Sequence, residues 1–153
     1  MPDIRWLRCD IKTIQLLPNV LAKQAAASRG AIEAVMVRDG VVTEGSHTNV
    51  VGVIDGMLRT HPANHLILGG VTRAVVLELA ASLGISVSEE PLAERELVRL
   101  DELFLVGTTT DVMPVVRLND APVGHGVPGP VTTRLLRAFR EYLDTACAAA
   151  HAG

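Results

Sequence analysis

Two Asp-Gly pairs, Asp39-Gly40 and Asp55-Gly56, constrain this chain more than any other feature, because each sits between runs of β-branched, alternating residues. A tight hairpin turn needs positive φ at both central positions, and Asp-Gly supplies it at the lowest steric cost, so each pair predicts a β-hairpin. The flanking runs Ile32 to Val37, Val41 to Thr43, Val50 to Ile54 and Met57 to Thr60 are the four expected strands. Beyond them, Val75, Val76, Leu79, Ala80 and Leu83 fall on one face of a helix over Thr72 to Leu83. Gly84 then offers a left-handed stop before the strand-like Ile85 to Val87. Leu103 to Val106 and Val112 to Val116 read as two more short strands. Leu135, Leu136, Phe139, Tyr142, Leu143 and Ala146 describe a terminal amphipathic helix after Gly129-Pro130. Near the start, Leu17-Pro18-Asn19 leads into a stretch of strong helix formers from Val20 to Ser28, with Gly30 just past its end. Strands and helices that cluster in this way, rather than alternating strictly, predict an α+β (mixed α/β) domain in which hairpins pack against helices, not a doubly wound sheet.

At 153 residues the chain suits one ordinary domain, able to bury a core without disulfides. With 14 basic residues against 17 acidic ones it has no basic field to draw it onto nucleic acid or an anionic membrane. Hydrophobic residues reach 48% and the mean hydropathy is +0.31. No run approaches the roughly 18 apolar residues of a membrane span, and Met1-Pro2-Asp3-Ile4-Arg5 lacks a signal-peptide pattern, so a cytoplasmic location is expected. Such apolarity points to large contacts with another domain or subunit. Cys9 and Cys147 stand at opposite ends without metal-ligand spacing and are expected to be reduced thiols. The pair His61 and His65 has an i, i+4 separation, but Pro62 and Asn64 argue against a regular helix there and no acid or cysteine accompanies them, so no metal site is expected.

Only Lys12 and Lys23 could supply a deprotonatable amine, since the remaining basic residues are arginines. Lys12 lies among aliphatic neighbours in Cys9-Asp10-Ile11-Lys12-Thr13-Ile14, and burial would favour the neutral amine that attacks an aldehyde. Read alone it is equally a lysine that snorkels to solvent. Lys23, inside an alanine-rich helix, belongs on the surface. Glu44 ends a strand before the small polar group Ser46-His47-Thr48-Asn49; a carboxylate so placed can pair with a protonated pyridine nitrogen, or it is simply an exposed hairpin acid. Gly69-Gly70-Val71-Thr72 opens a helix, where backbone N–H groups and a hydroxyl suit a phosphate or merely start a capped helix. Gly107-Thr108-Thr109-Thr110 offers further donors after a strand, or is a polar turn.

Taken together, the order Lys12, Glu44, Gly70-Val71-Thr72 and Thr108 resembles the order in which fold-type IV pyridoxal-phosphate aminotransferases present their cofactor contacts. Arg5 to Lys12 followed by Leu16 to Gln24 is similar to the Schiff-base segment of the D-amino acid aminotransferases, more than to that of the branched-chain ones. So are Val42 to Ser46 and Thr60 to Leu68. The resemblance extends to about Phe139. It implies that residues 1–153 form the cofactor-binding C-terminal domain of such an enzyme, and that Lys12 is the Schiff-base lysine and proton shuttle. It further implies that Glu44 faces the pyridine nitrogen, that Leu68 packs on the ring, and that Gly70, Val71, Thr72 and Thr108 hold the phosphate. The implied activity is transfer of an amino group from a D-amino acid to a 2-oxo acid in a homodimer. Branched-chain transamination, aminodeoxychorismate lyase chemistry on the same fold, and a non-enzymatic oligomerising remnant stand as alternatives. His47 departs from the serine common at that position, and the implied N-terminal domain, with its phosphate-binding arginine, is absent, through truncation or a start placed too late. A chain standing alone is therefore expected to bind cofactor weakly.

Overall fold

The computed structural model describes residues 1–151, the last three of them in backbone only. Its centre is a five-stranded sheet ordered β5-β4-β3-β6-β7, built from β3 (Asn49–Ile54), β4 (Met57–Thr60), β5 (Val87–Ser88), β6 (Glu102–Gly107) and β7 (Asp111–Pro114). All neighbours are antiparallel except β4 and β5, whose connection runs through helix α2 (Val71–Ser82). A separate hairpin pairs β1 (Val35–Arg38) with β2 (Val41–Gly45), and helix α1 (Leu17–Ala27) precedes it. A small hairpin of β8 (Arg117–Leu118) and β9 (Ala121–Pro122) leads to the long terminal helix α3 (Pro130–His151). The architecture is α+β.

Alternation along β3 and β6 fills both faces of the sheet. Val51 and Val53 with Phe104 and Val106 pack against Val76 and Ala80 of α2 and Leu135 and Phe139 of α3. Val50 with Leu103 and Leu105 packs on the opposite side against Val42 of β2 and the loop residues Leu92, Leu100 and Val123. Gly52 belongs to this second face, where a Cβ would come within 2.8 Å of Leu92 and 2.9 Å of Leu100, so the loop can close on the strand only because no side chain intervenes. Two buried faces account for much of the chain's apolarity, and α1 adds a third small core through Ala22 and Ala26 against Ala34 and Met36.

Both Asp-Gly pairs take the backbone they predict: φ is 51° and 76° at Asp39 and Gly40, and 51° and 74° at Asp55 and Gly56. The register of Val37 with Val42 and of Ile54 with Met57 follows from these turns. Helix α1 starts earlier than the helix formers suggest, at Leu17, because Pro18 in the first turn lacks only an N–H that would have no intrahelical partner. Strand β5 is Val87–Ser88 rather than Ile85 to Val87, and the Ser86 carbonyl just before it accepts Leu58 N–H at 2.9 Å. The 3₁₀ helix Glu94–Arg99 and the β8–β9 hairpin have no counterpart in the sequence reading.

The start of α3 is fixed from the sheet. Glu102, the first residue of β6 and buried, accepts Val131 N–H at 2.9 Å and Thr132 N–H at 2.7 Å, placing a carboxylate on the positive end of the helix. A Cβ on Gly129 would overlap that carboxylate, so the glycine there is sterically required.

Candidate functional site

Four segments converge on one cavity of about 640 Å³: the N-terminal stretch around Arg5 to Asn19, the β2–β3 turn from Glu44 to Asn49, Leu68 with the start of α2, and the end of β6 with Gly107 and Thr108. Lys12, Glu44, Leu68, Gly70, Val71, Thr72 and Thr108 all line it. Lys12 itself is exposed rather than buried, on a stretch without regular secondary structure, and makes no ion pair among the described residues. Lys23 points elsewhere and donates to the Ile32 carbonyl from the surface of α1.

Three donors hold Glu44 in the cavity. Its Oε1 accepts from Arg5 Nη1, and its Oε2 accepts Asn49 Nδ2 at 3.1 Å and Leu68 N–H at 3.1 Å. Asn49 Nδ2 also reaches the Leu68 carbonyl at 2.8 Å, tying the end of β2 to the segment that precedes α2. Gly70 completes this brace, because a Cβ there would collide with Asn49 Oδ1. Arg5 lies flat between two acids: its Nε and Nη2 bind the two oxygens of Asp3 at 2.9 and 2.7 Å, in the bidentate geometry that suits a planar guanidinium. Thr43 Oγ1 donates to Asp3 at 2.8 Å and Arg38 approaches it at 3.2 Å.

These contacts set the charges. Burial pushes the Glu44 carboxyl up, to about 7, against the pull of the Arg5 charge and hydrogen bond and the Leu68 amide. Burial also opposes ionisation of Asp3, but its hydrogen bonds from the Arg5 side chain and backbone and from Thr43 prevail and bring it down to about 2. Burial works against the Arg5 charge as well; the Asp3 hydrogen bond and the nearby negative charges outweigh it, so Arg5 is held cationic above its ordinary range.

The same cavity is rich in donors. Helix α2 begins at Gly70 in extended conformation with no side-chain cap, which leaves the first N–H groups of the helix to a ligand. Thr72, buried, and Thr108, on the turn between β6 and β7, add hydroxyls on the same cavity wall. Apolar side chains line it as well, among them Leu68, Ile11 and Val71. An amine, a carboxylate able to hold a proton near neutrality, an apolar slot and a set of phosphate-suited donors thus share one enclosure.

Three supporting groups went unassigned by the sequence reading: Arg5, Asp3 and Asn49. Asn49 follows Glu44 in the same small polar group, and Arg5 stands in the segment of Lys12, but nothing local says that they meet Glu44 across 39 and 5 residues. Among the described residues no group of three or more metal-suited side chains occurs, and the buried His61 directs Nδ1 to the Pro62 carbonyl at 2.9 Å. No disulfide joins Cys9 and Cys147.

The model of the family described as Amino-transferase class IV matches residues 1–118. The D-alanine aminotransferase of Bacillus licheniformis is 43% identical over 138 residues, 90% of this chain and 49% of that protein. That of Staphylococcus aureus strain COL is 43% identical over 143 residues, 94% of this chain and 51% of the relative. The chain thus spans about half the length of the curated relatives it matches. Among solved structures, the branched-chain amino acid aminotransferase of Thermobaculum terrenum in its PLP form superposes with a TM-score of 0.84 at 33% identity, covering 89% of this chain and 45% of that one. The Escherichia coli branched-chain enzyme gives 0.79 at 34%, covering 92% and 49%.

Proposed function

The chain belongs to the class IV aminotransferase family, and on that premise we propose that it is the cofactor-holding part of a pyridoxal-phosphate-dependent transaminase of D-amino acids. The reaction moves an amino group from a donor such as D-alanine to a 2-oxo acid. One observation carries the reading: Lys12, Glu44 and the uncapped start of α2 with Thr72 and Thr108 line the same cavity. The donor set suits the cofactor, since hydroxyls and helix-start N–H groups match a dianionic phosphate and a buried carboxylate matches a pyridine nitrogen.

When bound, pyridoxal phosphate supplies an aldehyde that captures amines and a ring that withdraws electrons from the substrate α-carbon. Lys12 Nζ would be the amine that anchors the cofactor, and the same amine would be the group that carries a proton at the substrate α-carbon. Glu44 would be the carboxyl that faces the ring nitrogen and shares a proton with it, and its pKa near 7 suits that role. Arg5, clamped by Asp3, and Asn49 keep the Glu44 carboxylate from rotating away. Leu68 would pack against the ring and keep water from it, and Gly70, Val71, Thr72 and Thr108 would hold the phosphate.

The proposal includes an N-terminal domain and a second copy of the enzyme as partners. The half-length coverage of the relatives supports the first, and the exposed Trp6, Ile11, Ile14 and Leu17 along the cavity support an apolar cover. The 43% identity to D-alanine aminotransferases favours D-amino acids. The branched-chain solved structures keep the corresponding L-amino acid reading as the second one. Product analysis with D-alanine, L-leucine and a chorismate-derived amine separates these from each other and from a lyase.

The cofactor site is tested by adding pyridoxal phosphate, reducing with borohydride and mapping the labelled peptide. A single pyridoxyl group on Lys12 is the expected result. Label spread over Lys23 and the N-terminus, or none, would overturn the site in this chain and leave a non-enzymatic remnant as the better reading.

A further inference from the structure

We propose that His47, backed by Glu33, is a specificity-determining residue of this cavity that receives a carboxylate carried on the side chain of the substrate. The inference rests on the transaminase reading and names a residue and a substrate feature for it. His47 occupies the turn between β2 and β3, on the wall shared with Lys12 and Glu44. Its side chain is 48% exposed, and its Nδ1 lies 2.7 Å from Oε2 of Glu33, whose own side chain is only 3% exposed.

Glu33 is a deliberately held anion. It accepts Ala34 N–H at 2.7 Å, Ser46 N–H at 3.1 Å, Thr48 Oγ1 at 3.3 Å and the Ser46 hydroxyl, so its position is fixed from three sides. A buried carboxylate behind one ring nitrogen sets the tautomer with hydrogen on Nδ1 and orients the ring, as carboxylate partners do for functional histidines. Nε2 has no hydrogen-bond partner among the described residues and is the ring nitrogen left for a ligand. Protonated, it is a donor for an anion.

The other charged groups on the cavity wall are Arg5, Glu44 and Lys12. Arg5 is taken up by Asp3 and Glu44, and Lys12 is the reacting amine. A second negative group on the ligand therefore finds its donor at His47. A molecule whose α-carbon reaches Lys12 while a distant carboxylate reaches His47 is a dicarboxylic amino acid or 2-oxo acid.

The test is calorimetric titration of the chain, preincubated with pyridoxal phosphate at about pH 6. Glutarate and butyrate serve as unreactive dicarboxylic and monocarboxylic probes. Glutarate is expected to bind about tenfold more tightly than butyrate. His47→Ser should erase that preference and Glu33→Gln should weaken it, with pyridoxal phosphate affinity, read by absorbance, held within about twofold in both variants. Equal binding of the two probes, or an unchanged preference in His47→Ser, would overturn the assignment. So would an equal loss for both probes in His47→Ser, which would make His47 a contact for the carboxylate that every amino acid carries. Failure of the underlying reading is seen separately, as absence of the borohydride-fixed label on Lys12 before any acid is added.

Discussion

Glu44 gives the chain a pH dependence whose direction is set by burial. Its carboxyl moves from 4.5 unfolded to about 7 folded, so between those values the folded chain keeps a proton that the unfolded chain releases. The stabilisation by the protonated form is full below about pH 4.5 and is lost as the pH rises through about 7, to the extent of roughly 3 kcal/mol. Asp3 works in the opposite sense and elsewhere: lowered from 3.8 to about 2, it stabilises above pH 3.8 and fails only as the pH falls through about 2. Urea unfolding of the chain and of Glu44→Gln from about pH 5 to about pH 8 should therefore diverge, the parent losing about 2 to 3 kcal/mol relative to the variant. Parallel profiles would show that Arg5 already holds Glu44 ionised at the lower pH. The donors of the cavity make a second prediction. Replacing Thr72 and Thr108 together by alanine removes two hydroxyls from the cavity wall and should weaken pyridoxal phosphate binding by ten- to a hundredfold in a spectrophotometric titration. Unchanged affinity would take the phosphate away from these hydroxyls.

Among the elements, α3 depends on a residue that is not its own. Glu102→Ala leaves Val131 and Thr132 N–H without their acceptor at a buried helix start, and should lower stability by about 2 kcal/mol, read as a shift in the denaturation midpoint. Gly129→Ala should be at least as damaging, because the added methyl meets the same carboxylate. A variant with the parent midpoint would mean that solvent caps the helix equally well. This cap illustrates what the sequence could and could not reveal. Hairpins built on Asp39-Gly40 and Asp55-Gly56 were legible because turn chemistry is local, and α2 was legible because its apolar stripe repeats with the helical period. Glu102 looked like any acid before a strand; its partner lies 29 residues away and is decided by how α3 returns to the sheet. In the same way Lys12, Glu44 and Thr72 could be named as candidates from type and order, whereas Asp3, Arg5 and Asn49 acquire their roles only through contacts that the fold makes. The burial expected around Lys12 did not follow from its aliphatic neighbours, since Ile11 and Ile14 are themselves exposed.

At the scale of the whole molecule, firmness is unevenly distributed. Strands β3 and β6 are covered on both faces and pair over five positions, from Asn49 with Val106 to Val53 with Glu102. The stretch that carries Lys12 is exposed and tied to the body by scattered bonds such as Cys9 N–H to the His65 carbonyl at 2.8 Å. Amide hydrogen exchange should be slowest at Val51, Val53, Phe104 and Leu105 and fastest from Asp10 to Gln15, with added pyridoxal phosphate slowing the second group and not the first. Uniform exchange across both would contradict that division. The separation has a practical side. A protease that nicks the chain beside Lys12 would spare every strand and helix described above, so the cut protein would keep its folded body while having lost the continuity of the segment that carries Lys12. Far-UV spectroscopy would pass such a preparation, and a denaturing gel or an intact-mass measurement would reject it.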